Sequence, residues 1–394
     1  MTGGLTPSLM SNTQKCLTDP VQLTQALIRR PSVTPADEGA MDVVQGWLED
    51  LGFSCTRLKY AEIENLYARR GSASPNLCFA GHTDVVPDGE RAGWRCDPFA
   101  GEIKDGILTG RGAVDMKGGI AAWIAAVARL ENTPGSLSFL ITGDEEGVAT
   151  DGTVKVVEWL KTQGEVIDHC IVGEPTSSAV LGDMIKVGRR GSINATITVT
   201  GKQGHVAYPQ RALNPVPVLV DIMQVLNARV LDEGYERFLP SNLEITTFDV
   251  GNATTNLIPQ KATGRVNIRF NPTHSGQSLA DWMRGVCDEF AHKTGAQVEF
   301  KPTISGEAFL TEGGPFVEVI LSAIREVLGT DADPSTTGGT SDARFIRSLC
   351  PVVEFGLVGQ TMHQVNESTP VADLENLTRV YQRLIELYFA RFAA

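Results

Sequence analysis

An excess of basic residues is the first thing missing from this chain. Lys and Arg number 34 against 47 Asp and Glu, a formal net charge of −13. Nucleic acids are held through neutralised phosphates, so no nucleic-acid partner is expected. Long apolar runs are absent as well. The longest, at 120–128, is far short of the roughly 20 residues that cross a bilayer, and no membrane association is expected. The first 16 residues lack the basic start and apolar stretch of a secretory signal. Cysteine is sparse and unpatterned: seven residues, an odd number, at 16, 55, 78, 96, 170, 287 and 350, with no CxxC pair. Reduced thiols in a cytoplasmic protein are the expectation. Internal repeats and low-complexity segments are also lacking.

What is present is ordinary globular material, 42% hydrophobic and 21% charged, which excludes a disordered or fibrous chain. At about 150 residues per domain, 394 residues suggest two or three domains. Apolar positions at three- and four-residue spacing predict helices at 21–30, 40–51, 119–130 and 153–163. Short apolar runs ending at glycine or turn residues predict strands at 76–80, 137–142 and 169–172. Strands alternating with helices predict an α/β domain with a mostly parallel central sheet flanked by helices.

The middle of the chain changes rhythm. Strands at 192–200, 243–250, 261–270 and 297–301, with helices at 216–231 and 279–293, follow the order β-α-β-β-α-β of a smaller α+β ferredoxin-like domain. This domain is placed at 191–304. Helices at 317–328 and 373–392 and a strand at 352–355 then return to the first sheet. The large catalytic domain is therefore discontinuous, 1–190 with 305–394.

Five loops carry the residues of interest. Gly81-His82-Thr83-Asp84 follows a buried strand, and a carboxylate two residues from an imidazole suits the outer hydrogen bond that a metal-bound histidine needs. Residues 110–119, GRGAVDMKGG, place Asp115 before a helix; the spacing is neither GxGxxG nor GxxxxGK[ST], so no nucleotide site is read there. Asp144, Glu145 and Glu146 crowd a strand end, where like charges repel unless a cation compensates. Glu174 ends another apolar strand, and His363 sits in a late loop. Strand-end loops of an open α/β sheet share one crevice. His82, Asp115, Glu146, Glu174 and His363 would then give each of two metals one imidazole and one carboxylate, with Asp115 between them. Such mixed nitrogen and oxygen ligation suits zinc, with cobalt as a substitute.

In this order the motifs GHTDVVP, GRGAVDMKGG, DEEG, GEPT and MHQVNE resemble the di-zinc aminoacylase and carboxypeptidase family of metallopeptidases. The resemblance runs from about residue 20 to the C-terminus. It implies two Zn2+ per chain, with Asp115 bridging, His82 and Glu174 completing one site, and Glu146 and His363 the other. It further implies Glu145 as general base, Asp84 as the partner that orients His82, and a cis peptide bond after Asp115. His205 would stabilise the oxyanion in the partner subunit's site, within a homodimer formed through the 191–304 domain. Inside the family, RRGS (189–192), GHVAYP (204–209), NLIP (256–259) and GGTSDARF (338–345) resemble a branch that removes succinate from a small anionic N-acylated amino acid in lysine biosynthesis. Removal of an acetyl group, as from acetylornithine, or a broader aminoacylase or carboxypeptidase activity of the same family is the alternative. Because the chain is itself acidic, recognition of an anionic substrate must come from local groups. Arg189 and Arg269 are the expected carboxylate clamps, and Asn256 and Thr340 the expected neutral donors. His169, His274 and His292 are given no role.

Overall fold

The computed structural model describes residues 17–393. The leader-free reading of residues 1–16, and Cys16 with it, lies outside the described residues. Two compact units are present. Of the described residues the larger comprises 17–187, Thr311–Ser335 and 341–393, the smaller Gly188–Leu310 and Thr336–Thr340. Residues 188–190, 305–310 and 336–340, assigned from sequence to the large domain, thus cluster with the small unit. Phe309 and Leu310 pair with Arg189 and Gly188, and Thr336 Oγ1 donates to the Arg237 carbonyl at 2.8 Å.

In the large unit one sheet contains β1 (Ser54–Tyr60), β2 (Ile63–Arg70), β3 (Asn76–His82), β4 (Ser136–Thr142), β5 (His169–Val172), β6 (Met184–Lys186), β7 (Asp333–Ser335) and β8 (Val352–Glu354). Their order is β1-β2-β4-β3-β5-β8-β6-β7. The inner pairs β4–β3, β3–β5 and β5–β8 are parallel, as is β6–β7. The β1–β2 hairpin joins β4 antiparallel, and β8 meets β6 antiparallel. The sheet is therefore mixed, with a parallel centre. The hairpin at 54–70 is not legible in the sequence: β1 is half-exposed and alternates charged with apolar residues, and the mostly buried β2 carries Glu64, Arg69 and Arg70 among its apolar positions.

Every residue of β3 and β4 is buried, as expected where helices cover both faces. Helices α1 (Pro20–Ile28), α2 (Ala40–Asp50), α3 (Lys117–Ala128), α4 (Thr153–Gln163), α5 (Pro315–Leu328) and α6 (Val371–Phe392) supply that cover. On one face Phe79 stacks on Trp123 of α3 at 4.7 Å between centroids, and Trp123 meets Tyr381 of α6 edge-on at 4.8 Å. On the other, Tyr67 packs against Trp159 of α4. The sequence of α3, KGGIAAWIAAVA, is apolar all round, and the helix is buried from Lys117 to Val127, which fits a central core helix. A Cβ on Gly119 would lie 2.6 Å from the Gly173 carbonyl. The start of α3 can thus press against the end of β5, bringing Asp115 toward Glu174. Because β3, β4 and β5 run parallel, their carboxyl ends deliver His82, the 144–146 turn and Glu174 to one edge of the sheet.

The small unit contains a four-stranded antiparallel sheet, in the order Asn242–Asp249, Lys261–Phe270, Gly191–Thr200, Gln297–Gly306. Helices Pro215–Ala228 and Gly276–Thr294 bury Leu219, Ile222 and Met283 against Ile193, Ile197, Val266 and Ile268. This is the ferredoxin-like β-α-β-β-α-β order, with the last strand five residues longer than the periodicity predicts. Asp232 anchors its long loop: it accepts from the backbone of Gly234 at 2.8 Å and of Ser241 at 3.2 Å, and from Asn271 Nδ2 at 2.6 Å. Burial acts to raise this carboxyl, but the hydrogen bonds from Ser241, Gly234 and Asn271 prevail and hold it below the usual carboxylate value. Its stabilisation is therefore present above the unfolded-state pKa and is lost as pH falls through the lower folded value. Asp232→Asn is expected to cost about 1–3 kcal/mol at neutral pH. In denaturant titrations at stepped pH, the difference from wild type should shrink below about pH 4. A gap that persists unchanged in acid would contradict this reading.

Among the described residues no helix is long and apolar enough to cross a membrane. The six described cysteines are unpaired, and Cys78, Cys170, Cys287 and Cys350 are buried.

Candidate metal centre

His82 closes β3 and is buried to 1% exposure. Its Nδ1 lies 2.8 Å from the backbone carbonyl of Asp84, so Nδ1 carries the proton and Nε2 faces the site. The Asp84 carboxylate, expected as the orienting group, is 3.7 Å from that nitrogen. Instead it accepts the backbone N–H groups of Glu145 at 3.2 Å and Glu146 at 3.0 Å. Asp84 therefore holds His82 with its main chain and the acidic turn after β4 with its side chain.

Around Asp115 two groups converge. Oδ1 is 3.1 Å from His82 Nε2, and Oδ2 is 3.2 Å from His363 Nε2. Glu174 Oε1 lies 3.9 Å from the same His82 nitrogen, while Glu146 Oε1 is 2.9 Å from His363 Nε2. One carboxylate thus addresses two imidazoles, each flanked by its own glutamate. Ligand atoms of His82, Glu145 and Glu174 also fall within 4.8 Å of one another, as do those of His82, Asp115 and Glu146. The peptide bond between Asp115 and Met116 is cis. His363 has a left-handed backbone, φ 61°, an uncommon conformation for a non-glycine residue that its surroundings must enforce.

Burial alone would lower the His82 imidazole, but the Asp115 hydrogen bond and the charges of Glu174, Asp115 and Asp84 push it well above its ordinary value. Hydrogen bonds donated to Asp115 and Glu146 raise His363 to about 10. Burial would raise Asp115, yet its bonds to His363 and His82 hold it far below the usual range. Glu145 is raised to about 8 by burial, with Asp342, Glu146 and Asp115 adding to the effect. Glu174 goes well up through burial and the charges of Asp115 and Glu145. A cluster of acids at this depth needs compensating positive charge, and here protons on the two histidines provide it. The Oε1 atom of Glu174 is nevertheless buried without a hydrogen-bond partner. That orphaned oxygen, 3.9 Å from His82 Nε2, fits a cation-binding role, and two imidazoles with three carboxylates are a donor set suited to zinc.

Sequence reading passed over several residues that build this place. Glu367 is fully buried and accepts the backbone N–H groups of Gly112, Val114 and Asp115 at 2.9–3.1 Å. Arg111 is paired with it at 2.8 Å. Asp342 accepts from Thr153 Oγ1 at 2.6 Å and leaves Oδ1 unpartnered. All three belong to motifs noticed in the sequence, but spacing along a chain does not say which backbone a glutamate 252 residues away will hold.

The residues expected to bind substrate all lie in the small unit. Arg189 Nη1 donates to the Thr337 carbonyl at 3.4 Å, close to Thr340 in sequence. Arg269 is paired in register with Ser192, and its Nε donates to Asn267 at 3.2 Å. Burial and the neighbouring Arg190 both lower the Arg269 guanidinium. His205 and Asn256 share one short ribbon: His205 pairs with Leu257, and the Val206 N–H donates to the Asn256 carbonyl at 3.1 Å. His169, by contrast, is a half-buried histidine with a partner of its own, its Nδ1 3.0 Å from the Tyr388 hydroxyl.

A mixed sheet whose parallel centre presents two imidazoles around a shared aspartate is the frame of a metal-dependent hydrolase. The family model described as "Peptidase family M20/M25/M40" matches residues 78–387, and the chain belongs to that family. It is 66% identical over 375 residues to the succinyl-diaminopimelate desuccinylase of Caulobacter vibrioides, covering 95% of this chain and 97% of that one. The protein of the same name from Maricaulis maris is 55% identical over 389 residues, covering 98% and 100%. Among solved structures, an M20 family metallo-carboxypeptidase from Sulfolobus solfataricus aligns with a TM-score of 0.76 at 17% identity, covering 97% of this chain and all of the other. A dinuclear metal binding peptidase from Bacillus subtilis aligns at 0.71 and 19%, covering 96% and 98%. At these identities the structural matches speak for the fold.

Proposed function

We propose that this chain is a zinc-dependent amidohydrolase that removes succinate from N-succinyl-L,L-diaminopimelate, releasing diaminopimelate for lysine biosynthesis. The observation that carries the reading is the convergence of His82, Asp115, Glu146, Glu174 and His363 around one point beside Glu145. The high identity to desuccinylases supports the choice of acyl group.

His82, Asp115 and Glu174 would hold one divalent cation, and His363, Asp115 and Glu146 the second. When bound, the pair supplies Lewis-acid polarisation and a more acidic water. Glu145, anchored through its backbone N–H by Asp84, takes the proton from the attacking water and returns it to the departing amide nitrogen. In the small unit, His205 donates to the oxyanion of a partner's site. Arg189 and Arg269 hold substrate carboxylates by paired hydrogen bonds, and Asn256 and Thr340 add neutral donors. A homodimer through the small unit is supported by Ile245 and Phe248, exposed on the edge strand Asn242–Asp249, and by Val220 and Val225, exposed on the helix Pro215–Ala228. The cytoplasm is its place of action, consistent with buried free thiols.

The test compares kcat/KM on N-succinyl-L,L-diaminopimelate and on acetylornithine, using chelated and zinc-reloaded protein. Zinc-dependent preference for the succinyl compound is expected. Preference for acetylornithine would move the chain to a deacetylase of the same family.

A further inference from the structure

A buried ion pair lies behind the candidate metal centre without touching any reacting atom in the mechanism above. Arg111 and Glu367 are both almost inaccessible, at 2% and 0% exposure. Each oxygen of Glu367 is doubly used. Oε2 accepts Arg111 Nη1 at 2.8 Å and the Gly112 N–H at 3.0 Å. Oε1 accepts the Val114 N–H at 2.9 Å and the Asp115 N–H at 3.1 Å. The backbone leading into Asp115 is therefore pinned at three points, Gly112, Val114 and Asp115, with the Arg111 side chain as a fourth tie to the same carboxylate. The fork of Arg111 reaches outward to two other strands of chain. Nη1 donates to the Gln364 carbonyl at 3.2 Å, and Nη2 to the Pro87 carbonyl at 3.1 Å and the His363 carbonyl at 3.5 Å. Gly112 must be glycine for this wrapping: its φ is 82°, and a Cβ would meet Val85 at 2.8 Å.

One end of the pair thus fixes the main chain of Asp115 and the other fixes the main chain of His363, a residue held at φ 61°. The neighbouring Asn366, also left-handed at φ 65°, is tied by Arg95 and Gly93. By contrast, no hydrogen bond links Arg111 or Glu367 to the chain at Glu174 among the bonds described. Replacing a buried ion pair with apolar groups is often neutral for stability, so stability alone does not explain why this one is built here. Orienting the groups that hold a metal does, since partners of that kind tune affinity by about 10–100-fold.

We propose that the Arg111–Glu367 pair is a positioning device that keeps Asp115 and His363 in mutual register, and that it governs the His363–Glu146 cation site more than the His82–Glu174 site. This rests on the two-cation reading, but its test does not depend on the substrate. Apo-protein is titrated with Zn2+ by calorimetry, and with Co2+ followed by absorption, for wild type, Glu367→Gln and Arg111→Lys. The glutamine puts a donor where two donors already point; the lysine keeps the charge but cannot fork to three carbonyls. Arg69→Lys, in the half-buried Arg69–Glu165 pair of the same sheet, is the control for general loosening.

Expected is a second binding event weakened by about 10–100-fold in both variants, with the first unchanged and an altered Co2+ spectrum for the second ion. Glu367→Asp, which keeps both acceptors on a shorter stem, should restore part of the second affinity. The control should lose thermal stability and keep both affinities. Should Glu367→Gln not fold, Arg111→Lys alone decides. Equal weakening of both events, or unchanged binding with a stability loss like the control's, overturns the proposal. A wild type that binds no second cation overturns it together with the two-cation reading. A wild type that binds two cations but prefers acetylornithine overturns only the substrate assignment.

Discussion

Glu145→Gln is expected to lower kcat by about 10²–10⁴-fold, the range for losing a positioned proton-transfer group. The substitution is nearly isosteric, and the side chain is deep in the cluster, so the backbone bonds from Glu145 and Glu146 to Asp84 should persist. KM and bound metal should therefore stay close to wild type while turnover collapses. Steady-state kinetics alongside elemental analysis separates these effects. A variant retaining near-normal kcat would remove Glu145 from the mechanism. One that loses its metal as well would recast the residue as a ligand, which its closeness to His82 and Glu174 makes a real contrast.

The second large effect concerns Asp115. Both of its oxygens are engaged, one with each histidine, so Asp115→Ala should damage both cation sites at once. In wild type, zinc at about 100–1,000 times its dissociation constant should stabilise the fold by about 2.7–4.1 kcal/mol, because it binds only the folded chain. In Asp115→Ala that metal-dependent gain should largely vanish, and activity with it. Thermal unfolding with and without zinc reads this out, and an undiminished gain would show that Asp115 holds no cation. Loading should also release protons. His82 and His363 are held above their ordinary pKa values by the acids around them, His363 to about 10. At neutral pH both carry protons that a metal must displace, so affinity should rise as pH rises. Calorimetry in buffers of different ionisation enthalpy counts the protons. Affinity that increases toward acid would contradict the arrangement.

Much of the site could be read in the chain because its chemistry is local. His82, Glu145, Glu146 and Glu174 each follow a short apolar run, and a parallel sheet obliges such strand ends to meet at one edge. Asp115 was visible as an acid ahead of an alanine-rich helix. The α3 core helix and the alternating strand Lys261–Phe270 were legible for the same reason, since burial imposes a period on sequence. The antiparallel β1–β2 hairpin is hidden because β1 is half-exposed and charged residues interrupt the apolar run of the buried β2.

Sequence by itself determined the kinds of donor available, the two-unit plan and the family, since hydrophobic period and motif chemistry are properties of neighbouring residues. Tertiary structure alone decided which oxygen of Asp115 meets which histidine, and that the Asp84 main chain rather than its carboxylate holds His82. It also decided that Glu367 grips the Asp115 loop from across the chain. Those choices depend on distances between segments far apart in sequence, and only packing the sheet, α3 and the late loop together sets them.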